Sequence, residues 1–256
     1  MLKRLLYLPA LRGYQLDDPG IFEVEKRIIR SKPFLREIYT EWYGLISKHL
    51  PPGDGSVLEI GSGAGFLEEF IPGLILSDVQ YRQGISTVFN AQQLPFACQK
   101  LRAIVMCNVL HHIPSAGSFL KEAARCVRED GCVLMVEPWV TNWSSFVYRR
   151  LHHEPFDPET SDWNFPANGP LSSANGALPW ILFHRDRDRF AREYPEWSIE
   201  DIRPIMPFRY LLSGGVSRRS LVPVGAFQFF RGVDHMLSRW PRIFPMFAFI
   251  RLARQR

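Results

Sequence analysis

The chain has 256 residues and a net charge of +5; 46% of its residues are hydrophobic and 22% are charged. These proportions are typical of a globular protein and exclude a disordered, collagen-like or coiled-coil chain. The length suits one large domain, or one domain that carries insertions. No apolar run reaches the roughly 18–20 residues needed to span a bilayer, so no transmembrane helix is expected.

Positive charge is concentrated near the C-terminus. Residues 203–256 contain ten arginines and one acid, Asp234, whereas the rest of the chain has 21 basic and 25 acidic side chains. Such a segment indicates nucleic acid or an anionic membrane surface as a partner. The four cysteines form no CxxC pair, and we predict neither a metal site nor a disulfide framework. The leucine-rich start has no cleavage site, which favours a mature cytoplasmic protein.

The first half of the chain alternates between helical and strand patterns. Residues 31–50 have apolar side chains at helical spacing, with Ser31 as the predicted N-cap. Residues 56–60 read as a buried strand, 61–70 as a glycine turn that opens a helix, and 73–78 as a second strand.

The same alternation continues from residue 101 to the end. Apolar strand patterns occupy 101–108 and 132–139, and between them a helix is predicted with Ser115 as its cap and Gly131 as its stop. A helix at 184–194, a strand at 197–205 and an antiparallel closing strand at 246–254 complete the pattern. The prediction is an α/β fold: a Rossmann-like, mostly parallel sheet with helices on both faces.

Two segments interrupt this pattern, and both are longer than ordinary connections. We call residues 140–183 the first insertion and residues 207–243 the second insertion. Ligands bind at the carboxyl ends of strands in an open parallel sheet, so both insertions are expected to cover that edge. The predicted single domain thus comprises a helical cap (1–52), a core (53–139), the two insertions, and a closing strand (244–256).

The glycine turn after the first strand, Gly61-Ser62-Gly63-Ala64-Gly65, is the most specific signal. Glycine permits a tight turn and close approach of a ligand to backbone N–H groups. Asp78 ends the next strand, 17 residues after Gly61, where a carboxylate can accept hydrogen bonds from both ribose hydroxyls. Together these features predict a nucleoside site.

The succession LEIGSGAG, LILSD, NAQQLPF, VMCNVLHHI and VREDGCVLMVEP resembles the class I S-adenosylmethionine-dependent methyltransferases, especially the type 11 subgroup, over residues 56–139. A dinucleotide oxidoreductase is the rival, but its GxGxxG spacing differs from GxGxG here. The resemblance implies S-adenosyl-L-methionine as the cofactor. It assigns cofactor contacts to Glu59, Gly61, Ser62, Gly63, Gly65, Asp78, Val79, Asn90, Ala91, Cys107 and Asn108.

The resemblance also implies which part of the cofactor each group meets. Glu59 and the glycine turn contact the methionine part, and Asp78 contacts the ribose. Asn90 stands where the family usually has Asp and keeps an acceptor oxygen near the adenine amino group. Cys107 offers its backbone carbonyl to the ammonium group and has no thiol chemistry.

Groups that assist methyl transfer must lie near the strand ends. The candidates are His111, His112, Glu137, His152 and His153. Because adjacent histidines point in different directions along regular structure, at most one of His111 and His112 is expected to face the site. The cluster His152, His153, Glu154 and Asp157 suggests acceptor binding or a general base rather than a metal, since no further ligand stands at a known spacing. A solvated loop is the default interpretation of this cluster.

The segment after the fourth strand constrains the acceptor. CNVL stands there instead of an NPPY-like segment, which disfavours methylation of amino groups in DNA or glutamine. We predict transfer to a hydroxyl or carbon of a partly apolar metabolite, such as a lipid-linked or glycan-pathway intermediate. A small soluble acceptor and a non-catalytic cofactor-binding scaffold are the alternatives.

Aromatic residues near the predicted site indicate two covers. Tyr39, Trp42 and Tyr43 of the first predicted helix are expected to close the acceptor pocket. In the second insertion, aromatic residues alternate with arginines, which predicts a segment that rests on anionic headgroups at the inner membrane face; these aromatic residues are Phe227, Phe229, Phe230 and Trp240. The alternative is an apolar lid folded onto the sheet, and nucleic acid is disfavoured because no RNA-binding module accompanies the charge.

Overall fold

A single seven-stranded sheet organises the chain. The computed structural model describes residues 7–15, 17–18, 20–152, 154–167, 169 and 172–255. The strands are β1 (Ser56–Ile60), β2 (Ile75–Asp78), β3 (Thr87–Val88), β4 (Leu101–Cys107), β5 (Val127–Pro138), β6 (Trp197–Ile205) and β7 (Phe247–Arg254). Their order is β3-β2-β1-β4-β5-β7-β6. The first five strands are parallel, and β7 pairs antiparallel with both β5 and β6. The predicted sheet and its antiparallel closing strand are confirmed.

Helices surround the sheet. The described α-helices are α1 (Ile21–Ser31), α2 (Pro33–Lys48), α3 (Ala116–Cys126), α4 (Asn142–Leu151), α5 (Leu178–Trp180), α6 (Arg187–Glu193), α7 (Arg209–Ser213) and α8 (Phe227–Leu237). A π-helical turn, Ile181–Arg185, follows α5. Among the described helices, none is long and apolar enough to cross a membrane.

The sheet separates two apolar layers. In β4, Ile104 and Met106 pack with Phe119 of α3, whereas Val105 packs on the other side with Ile38 of α2. This alternation follows from the two-residue period of a strand. Because both faces are buried, the central strands have nearly continuous apolar sequences.

Two helix boundaries differ from the prediction. Ser31 ends α1 and does not cap α2, because Lys32 before Pro33 leaves the helical conformation (φ −111°, ψ 86°). The helix capped by Ser115 ends at Cys126 and not at Gly131. Val127 already pairs with Leu101, so the sheet takes residues that local propensity assigns to the helix.

The strand order places the site. The chain moves outward from β1 to β2 and β3 on one side, and then crosses to β4 and β5 on the other. A crevice forms beyond the carboxyl ends of the strands where the order reverses, between β1 and β4. The glycine turn follows β1 at this crevice.

Candidate active site

A cavity of about 460 Å³ opens at the carboxyl ends of β1, β2, β4 and β5. This volume lies in the range of small-molecule sites, roughly 300–1,000 Å³. Along the sheet it is lined by strand-end residues, namely Glu59, Gly61, Ser62, Gly63, Gly65, Asp78, Val79, Asn90, Ala91, Cys107 and Asn108. The structure thus brings together the residues to which the sequence assigned cofactor contacts.

An aromatic wall faces these residues. It consists of Phe22, Tyr39, Tyr43, Tyr148, Phe156, Tyr210 and Phe247. Its members come from α1 and α2, both insertions and the closing strand, as expected if the insertions cover this edge. Trp42, which was also expected to close the pocket, lies instead in the core, where its ring is 4.9 Å from that of Phe247.

The glycine turn depends on missing side chains. Gly61 has φ +65°, and a Cβ there would lie 2.6 Å from Val109 Cγ2, so a larger residue cannot be accommodated without displacement. The Ser62 hydroxyl donates to the Ser77 carbonyl and accepts from the Ser77 N–H, both at 3.1 Å, which ties the turn to β2. The prediction that the turn opens an α-helix is wrong. A three-residue 3₁₀ turn, Leu67–Glu69, follows it instead.

Asp78 ends β2 with a buried carboxylate. The carboxylate forms an ion pair with the guanidinium of Arg82, which is 9% exposed, and it accepts a hydrogen bond from the Gly63 N–H at 3.4 Å. The other guanidinium nitrogen, Nη1 of Arg82, is buried without a hydrogen-bond partner in the described structure. Sequence reasoning missed Arg82, whose only signal is its position four residues after Asp78.

Glu59 lines the same cavity and is almost fully buried, with 2% of its surface exposed. Burial raises the pKa of its carboxyl to about 8, partly opposed by a hydrogen bond to Ser62. Burial also raises the pKa of the Cys107 thiol well above its usual range, which agrees with the expectation that this thiol has no chemistry of its own.

A histidine cluster, His111, His112 and Glu154, borders the cavity. His111 Nε2 lies 3.5 Å from Glu154 Oε2, and His112 Nε2 lies 3.7 Å from Glu154 Oε1. Both histidines line the cavity, so the expectation that at most one faces it is wrong. They lie on a 3₁₀ turn, Leu110–His112, in which neighbouring side chains do not alternate as in a strand.

Glu137 holds this turn in place from behind. Its carboxylate accepts the backbone N–H groups of Val109 (2.7 Å) and Leu110 (2.8 Å) and lies 2.6 Å from His111 Nδ1. Glu137 is fully buried and is not among the residues that line the cavity. It is therefore placed to position His111 rather than to touch an acceptor.

The cluster has strongly shifted pKa values. Burial disfavours protonation of His111, but Glu137 and Glu154 outweigh it and raise the pKa to about 9. Burial and the neighbouring His111 lower the pKa of His112 to about 4. Although burial opposes ionisation of Glu154, the three nearby histidines hold the pKa of its carboxyl well below its usual range.

The remaining residues of the sequence cluster in the first insertion separate in the structure. His152 borders the cavity, and its Nδ1 lies 3.7 Å from Glu154 Oε2. Asp157 is exposed and accepts a hydrogen bond from the Glu159 N–H, away from the histidine cluster. His153 lies outside the described residues.

Comparison with known proteins gives one domain match and several fold neighbours. Residues 58–135, or 78 of 256, match the family described as "Methyltransferase domain". Geranyl diphosphate C-methyltransferase from Streptomyces coelicolor A3(2), solved with S-adenosyl-L-homocysteine, is 16% identical with a TM-score of 0.53, over 98% of this chain and 90% of that chain. A geranyl diphosphate methyltransferase solved with the cofactor is 16% identical, with a TM-score of 0.52 over 97% of each chain. YcgJ from Bacillus subtilis is 15% identical, with a TM-score of 0.50 over 85% of this chain and 99% of that chain.

No curated protein sequence matches the chain. At these identities the solved structures show the fold, and the domain match supplies the class. Residues 58–135 form a methyltransferase domain of the S-adenosylmethionine-dependent kind, with S-adenosylmethionine as its cofactor, and the chain shares its fold with solved methyltransferases.

Proposed function

We propose that the chain transfers a methyl group to a hydroxyl or carbon of a partly apolar acceptor bound between the strand ends and the aromatic wall. The observation that carries this proposal is the composition of the cavity: a glycine turn with Asp78 on one side, aromatic rings on the other, and the histidine cluster at its border. Such apolar lining with a few polar groups is typical of sites for small organic molecules.

The strand-end residues fit the cofactor. Gly63 has φ +53°, which glycine adopts readily, and its N–H lies 3.4 Å from the Asp78 carboxylate, so the glycine turn and Asp78 lie side by side where we assign the ribose. Arg82 does not line this cavity; its ion pair with Asp78 holds the carboxylate in place. We assign the methionine part to Glu59 and the glycine turn, with Ser62 and Gly65, and its ammonium group to the carbonyls of Cys107 and Asn108.

The adenine is assigned to the loop after β3. Val79 is 51% exposed beside Asp78 and can cover a face of the base, and Ala91 is buried at the same wall. Asn90 is exposed, and its Oδ1 already accepts the Gln92 N–H at 2.9 Å. Asn90 therefore shapes this loop as well as bordering the cavity.

When bound, the cofactor supplies an electrophilic methyl group on its sulfonium. The chain's task is to hold the acceptor atom in line with that group and to bind its oxygen. His111, His112 and Glu154 are assigned to the acceptor oxygen, His152 to the rim of the same pocket, and Glu137 to the orientation of His111. His153 keeps only its sequence-based assignment.

Labelled methyl transfer tests this function. Protein, methyl-labelled S-adenosylmethionine and cell extract are incubated, and the products are separated by organic extraction. Label in the organic phase supports a partly apolar acceptor, whereas label in water supports the small soluble acceptor. Absence of label in both phases contradicts transfer and leaves the scaffold.

An Asp78→Ala variant is the control for this assay. Loss of its hydrogen bonds to the ribose should weaken cofactor binding by about 1.5–3 kcal/mol. Label transferred equally well by the variant would contradict the ribose assignment.

We also infer that α8 contacts an anionic membrane surface. Phe229, Met236 and Trp240 are about half or more exposed, and their spacing of seven and four residues places them on one side of α8 and its C-terminal continuation. Arg239 and Arg242 are exposed beside them. The sequence suggested that Phe227 contributes to this surface. Instead, Phe227 packs against Phe34, with ring centroids 5.1 Å apart.

A further inference from the structure

The histidine cluster has the composition of a metal site. Ligand atoms of His111, His112 and Glu154 all lie within 4.8 Å of one another. His111 Nε2 lies 3.5 Å from Glu154 Oε2 and His112 Nε2 lies 3.7 Å from Glu154 Oε1, and two ligand atoms of a tetrahedral ion at 2.0–2.1 Å lie about 3.3 Å apart. A cation bound by all three groups would draw them towards one another.

The far sides of both imidazole rings are already engaged. His112 Nδ1 lies 3.0 Å from the Ser173 carbonyl, which can only accept, so this nitrogen carries the proton. His111 Nδ1 lies 2.6 Å from the Glu137 carboxylate, which itself accepts two backbone N–H groups. In the neutral rings, both Nε2 atoms then present lone pairs towards Glu154.

This arrangement is the one that supports metal-binding histidines. Such residues donate their other ring N–H to a carboxylate or a backbone carbonyl, which fixes the tautomer and the ring orientation. Here one ring has each kind of partner. A divalent cation that displaces the second ring proton of His111 would meet two imidazole lone pairs and a carboxylate directed at one point.

We propose that His111 Nε2, His112 Nε2 and Glu154 bind one divalent transition metal ion of the Zn²⁺ type. Imidazole nitrogens favour Zn²⁺, Co²⁺ or Fe²⁺ over Mg²⁺ and Ca²⁺, which prefer oxygen ligands. Three protein ligands leave a position open towards the cavity, as in catalytic sites. The role of the ion, to bind the acceptor oxygen as a Lewis acid, rests on the proposed function; the binding itself does not.

The same space suits a proton as the alternative occupant. A protonated His111 would then bridge Glu137 and Glu154, and His112 would stay neutral. This alternative predicts the same resting geometry but no stoichiometric metal binding, so a direct binding measurement separates the two.

Tag-free protein, treated with a chelator and dialysed, is titrated with Co²⁺ while its visible absorption is recorded, and with Zn²⁺ in a calorimeter. The expected result is one ion per chain. His112→Gln and Glu154→Gln should each weaken binding at least about tenfold, since ligand loss costs no less than loss of an outer hydrogen-bond partner. His235→Gln, which changes an exposed histidine of α8, should bind like the parent chain.

Binding of S-adenosylhomocysteine is measured on every sample, which shows that each variant is folded. Glu137→Gln provides a second test, because weakened support of His111 should lower metal affinity about 10–100-fold without removing a ligand. A parent chain that binds S-adenosylhomocysteine but no Co²⁺ or Zn²⁺ would overturn the proposal. Metal binding that His112→Gln, Glu154→Gln and Glu137→Gln all leave unchanged would overturn it as well. Metal binding without methyl transfer would count against the proposed function and not against the site.

Discussion

The Glu59 carboxyl is a buried ionisable group among the strand-end residues that line the cavity. Its pKa of about 8 means that it is mostly protonated at pH 7, whereas the cofactor's ammonium group favours the ionised form. Binding near pH 7 should therefore release close to one proton. Calorimetry of S-adenosylhomocysteine binding in two buffers with different ionisation enthalpies measures this number, and Glu59→Gln should release about one proton fewer.

The same raised pKa affects the ligand-free protein. Between about pH 4.5 and 8 the folded chain holds a proton on Glu59 that the unfolded chain has lost, so this group's contribution to stability falls as pH rises through that window. Glu59→Gln should flatten the dependence of unfolding free energy on pH. An unchanged slope in the variant would show that Glu59 is not its source.

Among the helices, α2, α7 and α8 are joined by one buried ion-pair network. The Arg209 guanidinium is 5% exposed and donates to Asp234 and Glu41, each at 2.8 Å. Removing Asp234 leaves a buried cation with only one partner. Asp234→Ala should therefore lower the free energy of unfolding by about 3 kcal/mol.

Urea unfolding measures this loss, and Arg231 provides the matched control. Arg231 reaches the same Glu41 at 3.1 Å, but its side chain is 58% exposed. Because exposed pairs contribute about 1 kcal/mol or less, Arg231→Ala should be nearly neutral. Equal losses in the two variants would contradict the assignment of the network's stability to burial.

The proposed contact between the exposed side of α8 and an anionic membrane is tested with vesicles. Sedimentation should be stronger with anionic than with neutral vesicles and should weaken with salt. Arg239→Ala combined with Arg242→Ala should lower anionic binding by about 2 kcal/mol, roughly 30-fold. Phe229→Ala combined with Met236→Ala should lower binding to vesicles of both compositions.

Arg218 also belongs to the second insertion, but its guanidinium donates to the Leu151 carbonyl at 2.5 Å. Because its substitution would remove a contact within the fold, Arg218 is not changed in this test. Negligible sedimentation with both lipid compositions would remove the membrane proposal. Retention of single-stranded nucleic acid with a steep salt dependence would favour the other anionic partner.

In the whole molecule, the N-terminal helices and the second insertion close over the cavity together. The Lys32 ammonium donates to the carbonyls of Gly215 and Arg218, at 2.5 Å and 2.7 Å, and so joins the α1–α2 junction to the second insertion. Glu25 of α1 also lines the cavity, and burial raises the pKa of its carboxyl to about 7. A ligand in the cavity thus contacts both the sheet and its cover.

S-adenosylhomocysteine should accordingly stabilise the chain as one unit. At a concentration 100 times its Kd, the gain is about 2.7 kcal/mol, which corresponds to roughly 5–11 °C in Tm for a domain of this size. Hydrogen exchange should slow in α1 and α2 as well as in the glycine turn. At the same ligand concentration, Asp78→Ala should show both changes reduced, with a gain of about 0.3–1.3 kcal/mol. Protection confined to the turn would show that the cover does not close on the ligand.

Local sequence patterns determined the sheet and the strand-end residues that line the cavity. The strands at 56–60 and 197–205 were predicted with their observed bounds, because buried strands are short apolar runs between clear turn signals. The glycine turn and Asp78 are equally local: each marks the end of a strand, and parallel strands necessarily bring their carboxyl ends to one edge. Patterns a few residues long sufficed for these features.

Only the tertiary structure decided where helices yield to strands and which groups face the acceptor. Val127 begins β5 because its pairing with Leu101 of β4 outweighs the helical preference of the segment. Glu154 is more than 40 residues from His111 and His112 along the chain, and no spacing rule connects an insertion with a turn after β4. The sequence therefore determined the fold and the strand-end residues that line the cavity. The histidine cluster, in contrast, exists only because the folded first insertion returns to the sheet edge and brings its carboxylate beside both imidazoles.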